Sequence, residues 1–85
     1  MFTGQVANEV ARHGVRANCV APGAVLTDWL ARMPEQLRQQ VAASHPLGRL
    51  GMPEDVALAT LFLVSDASSW LTGITLDVAG GRVVL

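Results

Sequence analysis

No lysine and no tyrosine occur among the 85 residues, cysteine occurs once, and no apolar run approaches the length of a membrane span. Without an amine or a phenol, two groups that commonly exchange protons with a substrate oxygen are absent. The single Cys19 excludes an internal disulfide, suits a reducing cytoplasm, and gives no zinc-like spacing. The longest apolar stretch is Leu61 to Val64, or Val56 to Val64 if Thr60 is admitted, whereas a spanning helix needs about 18 or more. Met1 to Val6 lacks the basic start and apolar core of a secretory signal. The positive charge is all arginine, at Arg12, Arg16, Arg32, Arg38, Arg49 and Arg82, with no run of one sign and a net charge of -1. That scatter leaves no footprint for nucleic acid or an anionic membrane.

What is present is apolar: 51% hydrophobic residues against 15% charged places the chain far from the composition of disorder. A domain of this size buries only about 60 to 65% of its unfolded surface, so its core is small. Phe2, Val6 and Val10 form one helical stripe over residues 2 to 13. Gly14 stands where a helix ends and His13 in its last turn, exposed to solvent. The start of this helix carries no cap, and Thr3 is followed at once by Gly4. Val15 to Ala21 is a short, largely apolar run bounded by Gly14 and Pro22-Gly23, and reads as a mostly buried parallel strand.

From Thr27 to His45 the pattern predicts two short helices split at Met33, with Pro34 opening the second and Leu30, Met33, Leu37 and Val41 as a narrow apolar stripe. His45 to Gly51 is a loop. Pro53-Glu54-Asp55 opens a helix with proline in the first turn and acids at the positive dipole end. From Val56 to Val64 that helix is apolar almost all round, so both its sides are expected to be covered. Ile74 to Val78 alternates at period two and stops at Gly80-Gly81. Strand, covering helix and second strand make a parallel crossover unit, expected to be right-handed. In such a sheet ligands meet the chain just beyond the carboxyl ends of strands, which directs attention to Pro22 through Thr27.

Taken in order, Val15-Arg16-Ala17-Asn18-Cys19-Val20-Ala21-Pro22-Gly23 with Thr27, Pro46-Leu47-Gly48-Arg49-Leu50-Gly51-Met52-Pro53-Glu54-Asp55-Val56-Ala57, Leu63-Val64-Ser65, Leu71-Thr72-Gly73 and Asp77-Val78-Ala79-Gly80-Gly81 resemble the C-terminal third of a short-chain dehydrogenase/reductase. The resemblance covers nearly the whole chain. It implies an α/β fold, the last two parallel strands of a partial Rossmann-type domain with their crossover helix, with residues 1–85 as its C-terminal part. It implies NAD or NADP as cofactor, a small alcohol or ketone as substrate, a cytoplasmic setting and a homo-oligomer, with no nucleic acid and no membrane. By this resemblance Pro22 and Gly23 shape the loop beside the nicotinamide, the Val25 backbone holds its carboxamide, and the Thr27 hydroxyl bonds the carboxamide or pyrophosphate. Residues 28–50 become a substrate lid, with Trp29, Leu30 and Met33 as contacts.

Other parts of the family pattern have no counterpart in these residues: the glycine-rich pyrophosphate turn, the catalytic serine and the Tyr-x-x-x-Lys pair. In the family that pair lies on the same helix as residues 2 to 13, so the sequence is expected to start inside the catalytic helix, with no catalytic residue and no metal ligand of its own. Taken without the family, the same residues read more plainly. Cys19 is a small core residue, His45 a lid or loop residue, Asp77 a buried, hydrogen-bonded structural acid, Trp29 equally a packing residue, and Thr27 a helix cap. An alternative function follows from the apolar helix: a non-catalytic interaction module that pairs with full-length relatives through its last helix and strand.

Overall fold

The computed structural model describes residues 2–81. Helix α1 (Phe2–Val10) runs into a 3-10 turn (Ala11–His13) that closes at Gly14, whose N–H donates to Ala11 O at 3.0 Å. Gly14 has φ of 71°, the left-handed region that a Cβ disfavours, which is why a glycine ends this helix. Strand β1 (Cys19–Pro22), helices α2 (Asp28–Ala31), α3 (Glu35–Ala43) and α4 (Pro53–Val64), a 3-10 turn (Asp66–Ser68) and strand β2 (Thr75–Val78) follow. β1 and β2 pair in parallel, Cys19 against Thr75 through Pro22 against Val78. The chain is thus α/β, with the parallel pair and the intervening helix that the pattern of residues demands.

Where it departs from expectation, the reasons are physical. β1 begins at Cys19, not Val15: before it a single backbone bond, Gly73 N–H to Ala17 O at 2.8 Å, is supplemented by bonds from the side chains of Arg16 and Asn18. Asn18 Nδ2 donates to Leu71 O at 3.2 Å while its Oδ1 accepts from Ile74 N–H at 3.2 Å. The Arg16 guanidinium donates to Ser65 O, Ser68 O, Ser68 Oγ and Leu71 O, at 2.9 to 3.3 Å. These bonds splice the approach to β1 onto the end of α4 and the turn before β2, fixing the register of the pair.

Of the stripe on α1, Phe2 is exposed, while Val6 and Val10 are half-buried on either side of the one buried residue, Ala7, whose Cβ would lie 3.3 Å from a Cβ on Gly73. Nor is α4 covered on both sides among the described residues. Leu63 is buried, whereas Leu58, Leu61 and Val64 are 64%, 61% and 72% exposed. Ala7, Leu30 and Leu63 are the fully buried apolar side chains among the described residues. The radius of gyration, 15.5 Å, exceeds the roughly 12 Å of a compact chain of this length, so the elements lie side by side and share little interior.

The start of α4 is closed by chemistry visible in the sequence. Asp55 accepts the Met52 N–H at 2.7 Å and pairs with Arg49 through two bonds of 2.9 and 3.3 Å. The Arg49 hydrogen bond, helped by Met52 N–H, holds the Asp55 carboxyl below its ordinary value of 3.8. A carboxyl depressed by folding contributes stability that is complete above its unfolded value and lost as pH falls through the folded one. Acid should therefore loosen the first turn of α4 only below about pH 4. In Asp55→Asn that part of the pH dependence should vanish, as amide exchange at Met52 and Asp55 between pH 5 and 2.5 would register; an unchanged profile would argue against it.

Candidate functional site

The residues singled out after β1 do fall on one loop. Gly23 N–H donates to Val78 O at 2.9 Å, extending the β1–β2 pairing by one step. A Cβ on Gly23 would stand 3.0 Å from Ala79 Cα and Cβ and 3.3 Å from His45 Nε2, so glycine is required by the neighbouring chain itself. Past it, Val25 bridges Gly51 in parallel fashion: Gly51 N–H donates to Ala24 O at 2.9 Å and Leu26 N–H to Gly51 O at 2.8 Å. In a parallel bridge the flanking residues make both bonds, and the central residue turns its own N–H and C=O to the opposite side. Val25 accordingly offers a donor and an acceptor, side by side, away from Gly51, and neither has a partner among the described residues.

Thr27 occupies the N-cap position of α2, its carbonyl accepting Ala31 N–H at 2.8 Å. Its hydroxyl makes no capping bond and is exposed. The plain reading of Thr27 as a cap is right in place but not in chemistry, since the side chain is left over. Pro22 is exposed at the end of β1. Of the three residues expected at a substrate lid, Trp29 is 70% exposed, Met33 is half-buried and Leu30 is buried. Leu30 is the side chain that fastens α2 to the body, leaving Trp29 as the apolar group the segment presents to solvent.

A cleft of about 320 Å³ adjoins the loop on its Gly51 side, walled by His45, Arg49, Asp55 and Asp77 among others. Of the residues predicted from sequence only Val25 lines it. Asp77 is exposed, not buried. It alternates outward on β2 while Leu76 and Val78 turn in, and a carboxylate that keeps its water needs no internal partner. Cys19 is half-buried and free, with its thiol near Val20 O alone. No group of His, Cys, Asp and Glu that could hold a metal occurs among the described residues, and no helix there is long and apolar enough to cross a membrane.

The residue that sequence reasoning undervalued is His45. It is 3% exposed, with Nδ1 at 2.8 Å from Val41 O and Nε2 at 3.5 Å from Ala24 N. The signal was present in its spacing. A histidine four residues after Val41, followed at once by Pro46, sits where the last carbonyls of a helix lack donors.

Comparison with known proteins supplies what geometry alone does not. Residues 1–82 match the family model described as enoyl-(acyl carrier protein) reductase. The chain is 44% identical over 80 residues to a mouse (3R)-3-hydroxyacyl-CoA dehydrogenase, covering 94% of this chain and 31% of that protein. It is 48% identical over 80 residues to a 3-oxoacyl-[acyl-carrier-protein] reductase of Chlamydia pneumoniae, covering 94% of this chain and 32% of the relative. The crystal structure of the 3-oxoacyl-[acyl-carrier protein] reductase from Brucella melitensis superposes with a TM-score of 0.93 at 37% identity, over 99% of this chain and 31% of that one. The chain therefore spans about a third of the length of the relatives it matches.

Proposed function

From the premise that this chain belongs to the short-chain dehydrogenase/reductase family, we propose that its loop from Pro22 to Thr27 is one wall of a nicotinamide site. The observation that carries the reading is the pair of free backbone groups on Val25. A carboxamide has one donor face and one acceptor face, and an adjacent C=O and N–H on an extended residue meet both. The unpartnered Thr27 hydroxyl stands two residues on, able to donate to a carboxamide or phosphate oxygen. These two residues fit the group; NAD or NADP, when bound, supplies or takes up a hydride at its nicotinamide ring.

This chain's own part is to orient that ring and to keep water from one face of it. Residues 28–50 form the substrate lid, with exposed Trp29 and half-buried Met33 meeting a small alcohol or ketone. The setting is cytoplasmic and the complete enzyme a homo-oligomer. Pyrophosphate binding and proton transfer fall to residues that these 85 do not include, since they contain neither tyrosine nor lysine. Alone, the chain turns over no substrate: loss of the general acid by itself costs about 10²- to 10⁴-fold.

The test is a chimera in which residues 1–85 replace the matching third of the Brucella reductase. It should oxidise NADH or NADPH with a 3-oxoacyl substrate, and Thr27→Val should raise the cofactor KM about tenfold, the effect of one lost hydrogen bond to a charged group. An active chimera with an unaltered cofactor KM in Thr27→Val would remove the assignment.

A second reading has its own observation. The exposed Leu58, Leu61 and Val64 on α4 suit an interaction module that pairs with full-length relatives through α4 and β2. Co-elution of the 85-residue chain with such a relative at micromolar concentration would support it, and separate elution would dismiss it.

A further inference from the structure

His45 is the one large polar side chain that is fully buried among the described residues, and it touches three separate segments. Nδ1 lies 2.8 Å from Val41 O on α3 and 3.3 Å from Ser44 Oγ, whose own proton is committed to Val41 O at 2.6 Å. Both neighbours present lone pairs to Nδ1, so Nδ1 carries the ring proton and Nε2 is left as an acceptor. Nε2 faces Ala24 N–H at 3.5 Å and the bare Cα side of Gly23, where an added Cβ would lie 3.3 Å away. The imidazole body meets the end of β2, with its Cβ 3.6 Å from where a Cβ on Gly80 would stand, and the next residues close on the same strand end through Leu47 N–H to Gly80 O at 2.9 Å.

We propose that His45 is a positioning residue: in its neutral Nδ1–H form it links the end of α3 to Ala24 N–H and thereby fixes the direction in which Val25 presents its free backbone groups. Its relevance to cofactor binding rests on the nicotinamide reading above; the link itself does not. The Ala24 N–H belongs to the Gly23–Ala24 peptide plane and the Val25 N–H to the next, whose Ala24 O is held by Gly51 N–H at 2.9 Å. His45 and Gly51 thus fix the two planes on either side of Ala24, and a shift at its N–H reaches Val25 through the two soft dihedrals of Ala24. Protonation converts Nε2 from acceptor to donor, opposing the Ala24 N–H and releasing the loop. The charged groups that share the cleft with His45 are Arg49, Asp55 and Asp77. Arg49 and Asp55 are paired with each other, and Asp77 is exposed, so none of them supplies a counter-charge held against the ring.

The experiment is NMR on the 15N-labelled 85-residue chain. Long-range imidazole correlations should show the Nδ1–H tautomer, opposite to the preference of free histidine, and the Ala24 amide should shift on the same titration curve as the His45 ring. In His45→Phe, Ala24 N–H exchange should quicken about fivefold, as for one ordinary hydrogen bond, with Cys19 N–H unchanged because its bond to Ile74 O lies in the sheet. His45→Gln, which restores an acceptor, should recover part of the protection. An Nε2–H tautomer, or an Ala24 amide indifferent to the ring's titration, overturns the proposal without any variant. None of these measurements needs a cofactor, so an unaltered cofactor KM in the Thr27→Val chimera would defeat the nicotinamide reading and leave the His45 link standing.

Discussion

Replacing Arg16 by leucine should destabilise the chain by about 3 kcal/mol, the cost of stranding carbonyls that had a charged donor. The guanidinium reaches four acceptors, Ser65 O, Ser68 O, Ser68 Oγ and Leu71 O, across the junction of α4 with the turn that leads to β2. The last carbonyls of a helix have no partners within it, and α4 has no basic residue in its final turn. Ser65 and Ser68 answer Phe62 O and Leu63 O, and Arg16 brings positive charge from another segment to the C-cap carbonyl Ser65 O and to the turn beyond it, which ties the approach to β1 to that turn. Ser68, 1% exposed, adds its hydroxyl to Leu63 O at 2.9 Å, so the part-buried cluster is closed to water at its Ser68 end, where acceptors cannot be rehydrated cheaply. Arg16→Lys should recover less than half the loss, because one ammonium cannot span acceptors set for a planar fork. Urea midpoints for the wild type and both variants measure this. A leucine variant within about 0.5 kcal/mol of wild type, the range of ordinary surface changes, would show that the bonds only replace water.

The same cluster shows what the sequence could and could not tell. Val15 to Ala21 has the composition of a buried strand, and composition cannot distinguish a residue paired through its backbone from one whose own side chain reaches the backbone of a distant segment. Arg16 and Asn18 are the interruptions in that run, and their side chains add bonds to the backbone one from Gly73 N–H to Ala17 O. Local chemistry was legible throughout: Gly14 at a helix end, Pro53 opening α4 and Asp55 at its third position all act through groups within a few residues. Exposure was not. Of the stripe Phe2, Val6 and Val10, the first is exposed and the other two only half-buried, and the packed face centres on Ala7 because only a small side chain admits the close approach of Gly73. At the candidate site, the loop position followed from the strand end, while the feature with most chemical content, the free N–H and C=O of Val25, arises from a bridge to Gly51 that no spacing rule announces.

Gly23→Ala and Gly4→Ala should move stability in opposite directions, although each adds the same methyl group. At Gly4, inside α1, an added Cβ meets nothing within 4 Å, and alanine there removes the entropy that glycine loses on entering a helix. That change should stabilise by about 0.5 to 1 kcal/mol. At Gly23 the added Cβ falls 3.0 Å from Ala79 Cα and Cβ, closer than carbon atoms pack, and one of the two obstructing atoms is backbone. Relief requires either that the loop withdraw, stretching the 2.9 Å bond from Gly23 N–H to Val78 O, or that the segment after β2 move off. His45 Nε2 blocks a third direction at 3.3 Å. Overpacking of this kind costs about 1 to 3 kcal/mol, and none of it comes from φ, since Gly23 is not in the left-handed region. The two variants, compared by urea midpoint, therefore differ by about 1.5 to 4 kcal/mol, the sum of the two effects. Because the strain at Gly23 is steric and local, it should spread to Ala24 and Val25 and leave α1 untouched; equal midpoints, or amide shifts confined to α1, would contradict this account of the loop.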